Sequence, residues 1–390
     1  AQAIGLNGER MSKALLARWP GVQHGVVAAR PVLTSSHSRL GHSRGLGYTG
    51  RSSLSSGWLL GPGGVSSRRE IFHLVPWLLL LLGRKAHASS TPRHTAMRRI
   101  DSHLHLWTPD VKKYPVEAPL PAGLHEDGRA THENFVSLMD DAGVTNAIVV
   151  QPINYGQDYS YTMAAMDAHP DRLKGFFVAD AAQSPEEAST WLETTAMSHK
   201  GWVGVRFNPM KWQGRERGMA DATGMTMFKK AADLQLVVGF MPFKGLKQHM
   251  REVEALLTAS PGTKVIIDHW GFFLQPATGE GERELDEESW DCLLRLSRYP
   301  QVHVKISALF RVSQDPWPFQ SLSSRMEVLL EKFGSERLLW GSDFPYATAH
   351  GDYKAATLAV EEWPVWTKLT QEDKANVLWR TSDRLFGPFG

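Results

Sequence analysis

The chain has 390 residues, a formal net charge of +2, 42% hydrophobic and 22% charged residues. Those values describe a folded globular protein and exclude a strong charge-driven pull toward nucleic acid or a membrane surface. The single cysteine, Cys292, excludes an intramolecular disulfide and a multi-cysteine zinc site. It sits among the apolar positions of a helical stretch and is expected to be a buried structural thiol.

The charge is unevenly spread. Residues 1–98 carry 13 Lys+Arg against two acids, Glu9 and Glu70, whereas 99–390 carry 30 basic and 39 acidic residues. Two segments with different tasks are predicted. Ser, Gly, Arg and His dominate residues 34–69, a composition that cannot offset the entropy of ordering. Residues 1–98 are therefore predicted to be a disordered basic extension. Its apolar run, residues 71–82, contains His73 and Pro76 and is too short to span a bilayer. An Arg- and Ser-rich, acid-poor leader has the composition of an organellar transit peptide. Translation from Met97, just ahead of the first strand, would instead leave a cytoplasmic protein.

From residue 99 the pattern changes. Eight apolar, β-rich runs recur at 100–107, 147–152, 173–180, 202–207, 236–243, 264–270, 302–308 and 338–344. Helix-like stretches separate most of them. Ser184-Pro185-Glu186-Glu187 predicts a helix start, and Thr370-Gln-Glu-Asp373 opens a last helix that Gly387 can close. Eight strands alternating with helices over 99–390 predict an α/β fold, a (β/α)8 TIM barrel. An open doubly wound sheet is the competitor, but the Gly-rich phosphate loop after the first strand is missing.

Chemistry in such a barrel sits at the C-terminal ends of the strands. Those ends carry His103 and His105, Gln151 and Asn154, Asp180, Arg206 and Asn208, Met241 and Lys244, Asp268 and His269, Lys305 and Ser307 followed by Arg311, and Ser342 and Asp343. Residues 101, 103 and 105 alternate, so a strand projects all three from one face. His103, His105, His269 and Asp343 arise from strands one, six and eight and form a catalytic set. As ligands, His103, His105 and Asp343 suit one divalent ion, zinc or manganese. Without metal, the imidazoles can hold a developing oxyanion while Asp343 takes a proton from water. The alternatives are a turn or N-cap role for Asp343 and a core histidine for His269. Arg206, deep in an apolar run, must face a carboxylate, either internal or on a substrate. Lys305 is either an ion-pair partner or a site residue. Arg311, Asn154 and Ser307 complete the predicted substrate-binding set. Tyr155, Trp212, Phe273 and Trp317 are candidate loop contacts, and His350 is the one remaining histidine near the site.

Ile-Asp-Ser-His-Leu-His-Leu-Trp107, Val-Ile-Ile-Asp-His-Trp-Gly271 and Leu-Leu-Trp-Gly-Ser-Asp-Phe-Pro345 resemble signature segments of the amidohydrolase superfamily. The resemblance covers 99–390 and points to the amidohydrolase-related branch, which includes hydrolases of sugar lactones, muconolactones and pyrone dicarboxylates. The segments around Gln151, Arg206 and Lys305 are most similar to plant-type, plastid members, which implies a chloroplast location. The resemblance implies a TIM barrel and a water activated by Asp343. It implies that His103 and His105 bind metal or the substrate carbonyl, that His269 orients the carbonyl, and that Arg206 and Arg311 hold substrate carboxylates. Metal-dependent relatives often have a histidine at the end of strand five and a lysine or glutamate at strand four. Here Met241 and Arg206 stand there, so a complete binuclear site is not expected, and the cofactor is one divalent ion or none. The expected activity is hydrolysis of a small carboxylated lactone. The alternatives are a metal-dependent decarboxylase and a catalytically inactive binding barrel. The expected partner is a small molecule; the oligomeric state is open.

Overall fold

The computed structural model describes residues 97–278 and 282–389. The basic extension with its transit-peptide reading lies outside the described residues, except for Met97 and Arg98. Arg98 already packs on the barrel, donating to Asn146 Oδ1 at 2.9 Å.

All eight expected strands form. They are β1 (Ile100–Leu104), β2 (Asn146–Val150), β3 (Leu173–Val178), β4 (Trp202–Phe207), β5 (Val237–Phe240), β6 (Val265–Ile267), β7 (Val302–Ile306) and β8 (Leu338–Trp340). They pair in parallel, each with its neighbour in sequence. The ring closes between β8 and β1 through the bridge from Leu104 to Phe344, giving a (β/α)8 barrel. Nearly every strand residue is buried, which is why the runs read as continuous apolar stretches rather than alternating ones.

The helices between the strands follow local rules. α1 (His132–Ala142) starts where the Thr131 side chain accepts from Asn134 N and ends at Gly143, whose φ of 70° is one that glycine adopts without strain. α2 (Ser160–Ala168), α3 (Ala188–Met197), α4 (Ala222–Asp233), α5 (Met250–Ala259), α6 (Glu287–Arg295) and α7 (Leu322–Phe333) continue the rhythm. The α3 start differs from expectation. Ser184 caps a preliminary turn by accepting from Glu187 N at 3.2 Å, and regular helix begins at Ala188. The Thr370 capping box forms as expected and opens α8 (Gln371–Ala375). Cys292 lies buried in α6. A two-stranded hairpin, Leu274–Gln275 with Glu284–Leu285, decorates the β6 loop. Among the described residues no helix is long and apolar enough to cross a membrane.

Apolar packing divides into two main clusters. The larger one holds Val149, Phe177, Val205, Val238 and Ile267 against the surrounding helices. Alternate strand residues Ile148, Val150, Phe176, Val237, Ile266 and Leu339 meet inside the barrel, joined by Phe386 from the last helix, α9 (Thr381–Phe386). Alternation along each strand thus assigns one side chain to the barrel interior and the next to the helical layer.

Candidate active site

Past the interior apolar cluster the same strands turn polar. Lys305 marks the boundary, its ammonium lying 5.3 Å from the Phe176 ring centre. Lys305 Nζ is 3.1 Å from Asp268 Oδ1 and 3.1 Å from His103 Nδ1. Asp268 also meets His103 Nδ1 at 3.4 Å and Arg206 Nη2 at 3.4 Å. All four groups are buried. Burial works against the Asp268 carboxylate, but Lys305, His103 and Arg206 outweigh it and hold its pKa well below the usual range. Burial, with Lys305 beside it, keeps the His103 pKa well below that of a free imidazole.

Three imidazoles turn toward one oxygen. The Nε2 atoms of His105, His103 and His269 lie 3.5, 3.9 and 4.0 Å from Asp343 Oδ1. Their far edges are fixed. His105 Nδ1 donates to the Val150 carbonyl at 2.8 Å, and His269 Nδ1 is 2.8 Å from Ser307 Oγ. Burial drives the His269 pKa down to about 4, so the ring is neutral near pH 7. Burial would raise the Asp343 pKa, but His269, His105 and Arg311 together hold it far below the carboxylate norm. Arg311 Nε donates to Asp343 Oδ2 at 3.1 Å and its Nη1 to the Ala277 carbonyl at 3.2 Å. The Phe310 and Tyr346 rings lie 5.0 and 4.7 Å from its guanidinium carbon.

The backbone is strained where these groups emerge. Asp343 has φ 62°, His269 50° and Trp270 56°, all left-handed and none glycine. Such angles cost about 1–3 kcal/mol each and concentrate at functional sites. They also explain why β6 stops at Ile267, short of the expected run to Trp270.

A cavity of about 300 Å³ opens over the cluster. Of the residues expected from sequence, His105, His269, Asp343, Arg206, Arg311 and Asn154 line it. His103 and Ser307 are fully buried behind it. Asn154 donates through Nδ2 to the Pro119 carbonyl at 2.6 Å, and its own carbonyl accepts from Glu117 N and Ala118 N at 2.8 and 3.2 Å. It thereby straps residues 118–122 across one wall of the cavity. Arg206 Nε has no hydrogen-bond partner although buried.

The aromatic walls were not legible. Trp107, Phe243, Phe272 and Tyr346 line the cavity. The candidates Tyr155, Trp212, Phe273 and Trp317 do not, and His350 stacks on Phe310 instead. The Tyr346 hydroxyl makes no hydrogen bond among the described residues, and burial lifts its pKa to about 12. The β8 motif, three residues after Asp343, was its only sequence signal. Asp268 was signalled more clearly: Arg206 required an acid, and Asp268 sits at a strand end beside His269.

The donor set fits a divalent ion. Ligand atoms of His103, His269 and Asp343 all lie within 4.8 Å of one another, and His105 Nε2 is 3.4 Å from His103 Nε2. Hydrogen bonding at the far nitrogens of His105 and His269 is the support that metal-ligating histidines require.

The fold is a TIM barrel with a buried polar cluster at the C-terminal ends of its strands. A family model for amidohydrolases matches residues 100–387, and the chain belongs to that family. It is 26% identical over 257 residues to a 4-sulfomuconolactone hydrolase of Rhizobium radiobacter, covering 63% of this chain and 75% of that one. It is 22% identical over 281 residues to an L-fucono-1,5-lactonase of Burkholderia multivorans, covering 68% and 88%. A Pseudomonas putida structure described as a 2-pyrone-4,6-dicarboxylic acid hydrolase superposes with a TM-score of 0.58 at 22% identity, covering 75% of this chain and 98% of that one. A zinc-bound amidohydrolase of Burkholderia multivorans gives 0.56 at 18%, covering 74% and 98%. The two structural likenesses establish the fold.

Proposed function

We propose that the chain hydrolyses a small carboxylated lactone, with Asp343 as the base. The observation that carries this reading is the convergence of three imidazole Nε2 edges on Asp343 Oδ1 beside a cavity lined by Arg206 and Arg311. Lactone hydrolases among the sequence relatives support it. Asp343 takes a proton from water as the water oxygen bonds to the acyl carbon. His269, whose Nδ1 accepts from Ser307 Oγ, turns Nε2–H to the oxyanion that forms, and His105 packs beside it. The acyl bond to the ring oxygen then breaks, and the leaving alkoxide takes the proton back from Asp343. Arg206 and Arg311 bind the substrate carboxylate. Sharing Arg311 with that carboxylate loosens its hold on Asp343 Oδ2 and raises the basicity of Asp343 when substrate is present. A divalent ion such as zinc or manganese would be held by His103, His105, His269 and Asp343, where it would polarise the carbonyl and acidify water.

The test is a panel of carboxylated and sugar lactones, assayed with and without added zinc or manganese. Asp343→Asn is expected to lower kcat/KM about 10²–10⁴-fold, the usual contribution of a general base. A variant that retained wild-type rates on every lactone cleaved would remove Asp343 from this role. The decarboxylase alternative is disfavoured by Met241, which occupies the cavity wall at the end of β5. Carbon dioxide release that stops on chelation would replace the lactone reading.

A further inference from the structure

Seven of the eight strand junctions are parallel ladders of several residue pairs, two of them (β1 with β2 and β3 with β4) carrying a register shift. The eighth, between β8 and β1, is the exception, with the single bridge between Leu104 and Phe344. It is also the junction across which the site is built: His103 and His105 lie on one side and Asp343 on the other. Few backbone bonds cross it near the site. They include His105 N to the Phe344 carbonyl at 2.7 Å and Asp343 N to the His103 carbonyl at 2.8 Å.

Ser102 Oγ donates across the gap to the Trp340 carbonyl at 2.6 Å, and one carboxylate makes most of the remaining side-chain links. Asp101 Oδ1 accepts from Ser342 N at 2.9 Å and from His103 N at 3.1 Å. Its Oδ2 accepts from Ser342 Oγ at 2.6 Å and from Tyr353 Oη at 3.0 Å. Ser342 Oγ in turn accepts from Phe344 N at 2.9 Å. Asp101 is fully buried and does not line the cavity. Its four donors come from β1, from the turn after β8 and from the short helix Tyr353–Leu358. Two of them are the backbone amides of His103 and of the residue before Asp343. Close approach here is possible because residue 341 is glycine: a Cβ there would lie 3.0 Å from His103 N and from Ser102 Oγ.

We propose that Asp101 is a positioning residue that sets the register of β1 against the β8 turn and so places Asp343 against His105 and His269. The proposal rests on Asp343 being the base. Asp101 acts through the backbone on either side of the seam, so its loss moves catalytic groups without emptying the substrate cavity. Displacement of a reacting group by 1 Å costs about 10²-fold in rate, and the binding walls on β4, β5 and the strap stay where they were.

The experiment compares Asp101→Ala, Asp101→Asn and Tyr353→Phe in the full-length protein, with folding checked by circular dichroism. In crystals of Asp101→Ala, Asp343 is expected to leave its 3.5 and 4.0 Å separations from His105 and His269. The Asp268–Lys305–Arg206 cluster, which does not cross the seam, is expected to hold. On any lactone that the wild type opens, Asp101→Ala should lower kcat about 10–100-fold and leave KM within about twofold. Asp101→Asn keeps an acceptor for the two amides, and the two hydroxyls can reverse to accept from its NH2, so it should recover most of that loss. Tyr353→Phe removes one donor of four and should change kcat less than about threefold. An Asp101→Ala crystal structure with Asp343 unmoved, or a variant that raises KM as much as it lowers kcat, would overturn the proposal. If Asp101→Ala does not fold, Asp101→Asn and Ser342→Ala crystals carry the same comparison. If the wild type opens no lactone, the functional reading fails by itself, and the crystallographic comparison still decides the role of Asp101.

Discussion

The barrel interior contains two regions built on the same strands with opposite physics. One is the apolar cluster of Ile148, Val150, Phe176, Val237, Ile266, Leu339 and Phe386. The other is the charged cluster of Arg206, Asp268, Lys305, His103 and Asp343. The first is stabilised by removing apolar surface from water, about 25 cal/mol per Å², and tolerates exchange of one aliphatic side chain for another of similar volume. The second is stable only as a complete set. Each buried charge is costly alone and is offset by its partners. One region supplies stability without chemistry. The other holds chemical groups in place at a cost in stability that the first must cover. The Lys305 ammonium over the Phe176 ring is where the two meet.

That contrast can be broken or sharpened by measurement. Removing one member of the charged set should have the largest effect. Lys305→Met leaves Asp268 buried with less compensation, and a loss of about 3–5 kcal/mol is expected in urea unfolding together with reduced turnover. Leu339→Ala, in the apolar cluster, is expected to cost about 2–5 kcal/mol in the same assay but to leave KM unchanged. If Leu339→Ala shifted KM as far as Lys305→Met, the two regions would not be separable.

Acid should act on the charged region and on one histidine outside it. The His269 pKa is lowered to about 4, and burial lowers that of His303, which sits on the Val265 and Gln301 carbonyls away from the site, likewise to about 4. Their neutral forms are favoured by folding, so their contribution is present above about pH 6.5, the unfolded value. It is lost as pH falls toward 4, because the unfolded chain takes protons that the native one refuses. Asp101, raised to about 6, works in the opposite sense, its contribution fading as pH rises through 6. Denaturant midpoints measured from pH 7.5 down to 4 should decline, and His269→Gln should flatten that decline. The smallest effect concerns the cavity wall. Tyr346→Phe removes a hydroxyl with no hydrogen bond among the described residues, so stability should hold within about 0.5 kcal/mol. If that hydroxyl meets substrate, kcat/KM should fall about 5–10-fold, the worth of one hydrogen bond.

Strand runs were legible because parallel strands buried on both faces leave long apolar signatures. Polar residues at their ends were legible because the barrel puts them on one rim. Strand boundaries were less so: β6 ends at Ile267 because the backbone turns left-handed at His269 and Trp270, which no apolar pattern announces. Alternation placed Asp101 beside His103 and His105 but could not show its partners, since Ser342 and Tyr353 lie some 240 and 250 residues away in sequence. Asn154 lines the cavity, and no sequence pattern showed that its side chain also donates to the Pro119 carbonyl. The cavity's aromatic walls come from loops whose paths depend on tertiary contacts, so Trp107, Phe243, Phe272 and Tyr346 carried no periodic signal.

The strap of residues 118–122 sets a condition on the catalytic cycle. Asn154 holds it and the preceding Glu117 by three hydrogen bonds among the described residues, two to its carbonyl and one from its side chain. A lactone is a compact ring, but its hydrolysis product is an opened chain with one more carboxylate. In the proposed reaction the cavity therefore admits a smaller, less charged molecule than the one it must discharge. Exit of the product, rather than entry of the ring, is the step that asks most of the Asn154 clasp, and a clasp that held too well would show itself as product inhibition.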